Sequence, residues 1–94
     1  MVEKEIERRM CDMIRKRGGL TYKFITLESG VPDRIVILPS GVVWFVELKS
    51  QKGRLSKIQR HQLARLEKQK ANVRVVYGID EVLKFVEEIF SETP

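Results

Sequence analysis

The segment from Arg34 to Lys49 constrains this chain most: two short apolar runs stand either side of three turn-forming residues. Ile35, Val36, Ile37 and Leu38 precede Pro39-Ser40-Gly41, and Val42, Val43, Trp44, Phe45 and Val46 follow it. Nearly every position is β-branched, aromatic or otherwise apolar, so neither run alternates with polar residues. Strands of that kind sit in the middle of a sheet covered on both faces. Pro-Ser-Gly is a short connection suited to a hairpin. A doubly covered sheet needs helices from the rest of the chain, which points to an α/β fold.

The flanking segments supply them. From Val2 to Arg17, Ile6, Met10, Met13 and Ile14 recur at helical spacing until Gly18-Gly19 stops the pattern. Leu20, Tyr22 and Phe24 alternate, which predicts a strand through Ile25, with a loop over residues 26–32. Residues 51–54 are a polar loop, and Ser56 with Gln59 has capping-box spacing. The helix they open turns Leu63 and Leu66 inward and ends at Lys70-Ala71-Asn72. Val73 to Tyr77 reads as a strand. Asp80 is expected to cap a last helix with Val82, Leu83, Val86 and Phe90 on its inner face. The expected order is α-β-β-β-α-β-α, a mixed β-sheet flanked by helices. With 94 residues and no repeat or linker, residues 1–94 are expected to form a single domain.

Composition removes several classes of function. Hydrophobic residues make up 43% and charged residues 33%, too apolar for a disordered chain. No apolar run reaches the length of a membrane span, and the charged start lacks a signal-peptide core. Cys11 is the single cysteine, so no internal disulfide can form, and a reducing, intracellular setting is expected. The net charge of +5 suits a polyanionic partner, but it suits a solubilising surface equally well.

The hairpin itself carries the decisive anomaly. If residues 39–41 form its loop, Leu38 faces Val42 and, counting back evenly, Asp33 faces Glu47. Directly opposed residues share a face with Cβ atoms about 4.5–5.5 Å apart, and Lys49 shares it by alternation. A one-residue change in the loop would break this register. Two close carboxylates repel unless a cation or proton intervenes. Carboxylate oxygens suit Mg²⁺ or Mn²⁺, whose bound water and a nearby lysine suit phosphodiester hydrolysis. The plainer account is a salt bridge from Lys49 to Asp33 or Glu47 at an exposed strand end.

A longer string of residues separates these accounts. Gly30-Val31-Pro32-Asp33-Arg34, Pro39-Ser40-Gly41, Phe45-Val46-Glu47-Leu48-Lys49, Gly53-Arg54-Leu55-Ser56 and Gln59 together resemble the VRR-NUC (virus-type replication and repair nuclease) domain. That family lies in the PD-(D/E)XK nuclease superfamily, with a restriction-endonuclease-like core. The likeness runs from about Glu3 to Gly78. It implies that Asp33 and Glu47 bind metal together with the main-chain carbonyl of Leu48, and that Lys49 is catalytic. The resemblance also places a glutamate of the first helix at the site. Glu3 and Glu7 lie one turn apart on one face, with Glu3 favoured. Gln59 has two compatible roles, as a cap and as the glutamine the resemblance places near the active site. His61 is expected to be exposed, and Trp44 to lie in the core.

Arg34, Lys52, Arg54, Ser56 and Lys57 flank the carboxylates and are the candidate contacts to DNA phosphates, with Arg60 close behind. No base-reading motif occurs, so DNA shape is the expected basis of recognition. Stand-alone members of the resembled family imply a homodimer acting on branched DNA such as four-way (Holliday) junctions in repair, with no small-molecule cofactor. Two other readings stay open: a catalytically silent nucleic-acid-binding module, and an interaction protein whose hairpin charges only form ion pairs.

Overall fold

The hairpin closes in the register that its three-residue loop implies. The Leu38 N–H donates to the Val42 carbonyl at 2.9 Å, and the Gly41 N–H donates back to the Leu38 carbonyl at 2.8 Å. Gly41 adopts φ +92°, a left-handed conformation that glycine takes without steric cost. From there Ile37 pairs with Val43, Val36 with Trp44, Ile35 with Phe45 and Arg34 with Val46.

The computed structural model describes residues 1–91, in the order α1 (Glu3–Lys16), β1 (Leu20–Lys23), β2 (Arg34–Ile37), β3 (Val43–Lys49), α2 (Lys57–Lys68), β4 (Asn72–Tyr77) and α3 (Gly78–Ser91). The four strands form one sheet in sequence order, antiparallel from β1 to β3 and parallel between β3 and β4. A parallel pair requires a crossover, and α2 provides it. This is the expected α/β architecture with helices on a mixed sheet. No helix among the described residues is long and apolar enough to cross a membrane.

The core lies between the sheet and the pair α1 and α3. Ile6, Met10 and Ile14 of α1 and Val82, Phe85, Val86 and Ile89 of α3 enclose Val36, Val46, Leu48 and Val76 from the strands. Trp44 packs on this core as expected, its ring edge-on to Phe85 at 5.5 Å. Alternation then sends Phe45, Glu47 and Lys49 to the other face, the side of α2. Burying the apolar side chains of this cluster is worth roughly 1.5–3 kcal/mol each, which holds the strand carrying Glu47 in place.

Among the differences from the sequence reading are two boundaries and one helix face. β1 ends at Lys23, before the expected Ile25, although the Phe24 N–H still donates to the Asp33 carbonyl at 2.7 Å. Beyond it Ile25 is exposed, because the chain leaves the sheet to reach α2. α3 begins at Gly78, so Asp80 lies within the first turn and not at the cap, and Glu81 accepts a hydrogen bond from the Tyr77 N–H at 3.0 Å. The buried stripe of α3 is Val82, Phe85, Val86 and Ile89, while Leu83 is 44% exposed and Phe90 is half-buried. Residues 82, 85, 86 and 89 and residues 83, 86 and 90 both keep helical spacing. The sheet chose the first set because Phe85 fills the space beside Trp44.

Candidate active site

Asp33 precedes β2 by one residue and Glu47 is the fifth residue of β3. Continued by one pair, the β2–β3 register sets these two residues opposite each other, as the loop length predicted. Their environments differ sharply. Glu47 is 7% exposed, whereas the Asp33 side chain is half exposed at the strand end. In the parallel ladder Glu47 is level with Val75 and Lys49 with Tyr77.

The field at Glu47 follows from this placement. Burial, with the charge of Asp33 next in importance, pushes the Glu47 carboxyl from 4.5 up to about 7. Lys49 pulls it back, and Glu3 and Glu7 push it up further. Three carboxylates, Asp33 foremost, therefore raise the Glu47 carboxyl, and Lys49 only partly offsets them. Buried excess negative charge of this kind is relieved by a proton or by a cation.

The residues fit a hard divalent ion of modest protein coordination. Among the described residues no three Asp, Glu, His or Cys side chains converge into a cage. Mg²⁺ does not demand one, since it keeps several waters and uses one or two carboxylates plus substrate phosphates. Asp33 and Glu47 supply that number. The Leu48 side chain lies in the core, so its main-chain carbonyl is the group it can offer.

α1 brings both candidate glutamates, but they are engaged differently. Glu7 accepts from Arg34 through Nε at 3.2 Å and through the terminal nitrogen at 2.6 Å. Glu3 has no ion pair or hydrogen bond among the described residues, which leaves its carboxylate available. The same contact occupies Arg34. Its side chain is only 11% exposed and is turned toward α1, so little of it faces a DNA backbone.

Lys52, Arg54, Ser56, Lys57 and Arg60 are all exposed around the start of α2. The expected capping box is present: the Gln59 N–H donates to Ser56 Oγ at 3.2 Å, and the Ser56 N–H donates to Gln59 Oε1 at 2.9 Å. The amide oxygen of Gln59 is thus engaged in the cap, with its NH₂ group left over. His61 is exposed, as expected.

Two contributors were missed in the sequence. Lys23, the last residue of β1, holds its ammonium 3.9 Å from both Glu7 Oε2 and Asp33 Oδ2. The ten residues between β1 and β2 do not define a register, so its position opposite Arg34 could not be counted out. Gln62 is buried and donates to the Ser29 carbonyl at 3.2 Å, which ties the loop ahead of Asp33 to α2. Its place beside Leu63 hinted at burial, but its polarity argued the other way.

Away from the carboxylates, a cavity lies between this loop, the sheet and α2. Phe24, Leu27, Val31, Phe45 and Leu66 give it an apolar lining of about 790 Å³, with Glu28, Arg65 and Lys68 at its edge.

The chain is similar to known proteins over most of its length. The VRR-NUC domain profile matches residues 3–80. A phage protein named "Putative nuclease p44", from Acyrthosiphon pisum secondary endosymbiont phage 1, is 42% identical over 65 residues, 68% of this chain and 70% of that one. A solved VRR_NUC domain superposes with a TM-score of 0.84 at 36% identity, covering 90% of this chain and 94% of the other. A second solved structure, described as a VRR_NUC domain protein, shares the fold at TM-score 0.76 and 15% identity, covering 94% of this chain and 87% of the other.

Proposed function

This chain belongs to the VRR-NUC domain family and carries a nuclease domain, and from that premise we propose that it is a Mg²⁺- or Mn²⁺-dependent DNA endonuclease acting at Asp33, Glu47 and Lys49. The observation that carries the reading is the pairing of a buried glutamate with an exposed aspartate at one strand end, beside a lysine on the same face. Asp33 and Glu47 would hold the ion, with the Leu48 carbonyl as a further ligand and Glu3 close by. Bound there, the ion supplies charge to phosphate oxygens and makes water more acidic. Glu47 must shed its proton for this, which its position near pH 7 permits under physiological conditions. Lys49 orients the attacking water or faces the charge that develops on the phosphate. Gln59, in the first turn of α2, would contribute its free NH₂ group to the site.

The proposed substrate is branched DNA, four-way junctions in particular, held by phosphate contacts from Lys52, Arg54, Ser56 and Lys57 and read by shape. Two copies related by a two-fold axis would place two sites for paired cuts. Ile25 and Leu27 support the dimer, being exposed apolar side chains beside the apolar cavity. In a two-fold pair such a knob would face the hollow of the other copy, with Lys68 at its edge.

The test is cleavage of labelled four-way junction, flap, single-stranded and linear duplex DNA in Mg²⁺, Mn²⁺ or EDTA. Cutting that needs the ion and falls at least about 100-fold in Asp33→Ala and Lys49→Ala is the expected outcome. Paired symmetric nicks confined to the junction support the resolvase reading. Folded wild type that binds these DNAs and cuts none of them supports the silent binding module.

A further inference from the structure

The charges at the hairpin end sort into partners. Arg34 is spent on Glu7 through two of its nitrogens. Lys49 acts on Glu47. Asp33 has one ion-pair partner among the described residues, the ammonium of Lys23 at 3.9 Å. Lys23 also lies 3.9 Å from Glu7 Oε2, but Glu7 is already neutralised by Arg34. Among the described residues, the one carboxylate that depends on Lys23 is therefore Asp33.

The fold explains how the lysine arrives there. Lys23 closes β1 and pairs with Arg34 in register, so both side chains lie on the α1 face of the sheet. Its neighbour Thr21 is buried on that face, which anchors the strand one turn of the pleat earlier. The long side chain then reaches past the end of β2 to Asp33, with 54% of it exposed.

We propose that Lys23 is the resident counter-ion of Asp33 and thereby sets the affinity of the carboxylate site for a divalent ion. The inference rests on the metal-dependent reading above. An ion approaching Asp33 either displaces the ammonium or binds with a like charge a few ångströms away, and each route weakens binding. Because the pair is half solvated, the effect is moderate: removing the charge tightens the ion by roughly 3- to 10-fold. Once Asp33 turns to the ion, Lys23 is released at the mouth of the site.

Calorimetric titration of Mn²⁺ into metal-stripped protein tests this without reference to cleavage. Lys23→Gln is expected to lower the Kd for Mn²⁺ by roughly 3- to 10-fold. Lys23→Arg, which keeps the charge, stays within about twofold of wild type, and so does Lys68→Gln, which removes a charge from the far end of α2. Lys23→Met, which keeps most of the stem, serves if Lys23→Gln does not fold. An unchanged Kd in both neutral variants overturns the inference, as does an equal shift in Lys68→Gln or in Lys23→Arg. A wild type with no measurable Mn²⁺ binding overturns the metal reading, and the inference with it.

Discussion

A carboxylate on a covered sheet face must find a cation or keep its proton near neutrality. Glu47 meets that choice, with its carboxyl pushed up to about 7. The consequence for stability has a definite sign. Between pH 4.5 and about 7 the folded state holds a proton that the unfolded chain has released, so stability falls as pH rises through this window. In EDTA, the urea-unfolding free energy of wild type relative to Glu47→Gln is expected to fall by about 3 kcal/mol across it. A constant difference from pH 4.5 to 8 would mean that Glu47 titrates like an exposed glutamate. The opposition of Asp33 and Glu47, with Lys49 on the same face, was legible in the sequence because strand alternation and loop length are local rules. Lys23 was not, since its contact with Asp33 depends on a strand joined through a ten-residue connection.

At the scale of elements, the connection from β1 to β2 decides where Asp33 stands. Gly30 takes φ +86° and lies against α2 so closely that a Cβ would come 2.7 Å from the Ile58 carbonyl oxygen. Buried Gln62 holds the neighbouring Ser29 carbonyl from the same helix. Gly30→Ala is thus both strained and crowded, and is expected to cost about 2 kcal/mol in urea unfolding. It is also expected to slow cleavage, because the displaced loop carries Asp33. Full activity and unchanged stability in this variant would show that the loop adapts freely. The capping box at Ser56 and Gln59 was readable from two letters three residues apart. The burial of Gln62 was not, because its partner lies in a distant loop. In the inner stripe of α3, Val82 and Val86 are buried as expected but Leu83 is not, for a related reason: Leu83 and Phe85 are both apolar, and only the sheet beneath distinguishes them.

At the scale of the whole molecule, the dimer reading makes a direct prediction. Sedimentation should give twice the 11.0 kDa chain mass at micromolar concentration, and Leu27→Glu should return the monomer with its fold intact. A wild-type monomer, or a Leu27→Glu dimer, would remove that surface from consideration. The sequence by itself determined the element order, the hairpin register and hence the opposition of Asp33 and Glu47, because these follow from residue periodicity and a three-residue turn. Tertiary structure decided which side chains are shared between distant segments: Arg34 drawn to Glu7, Lys23 set against Asp33, Glu47 buried enough to hold a proton near pH 7. Such outcomes depend on the distance and solvation between segments that sequence spacing does not encode, and electrostatic energy varies with both.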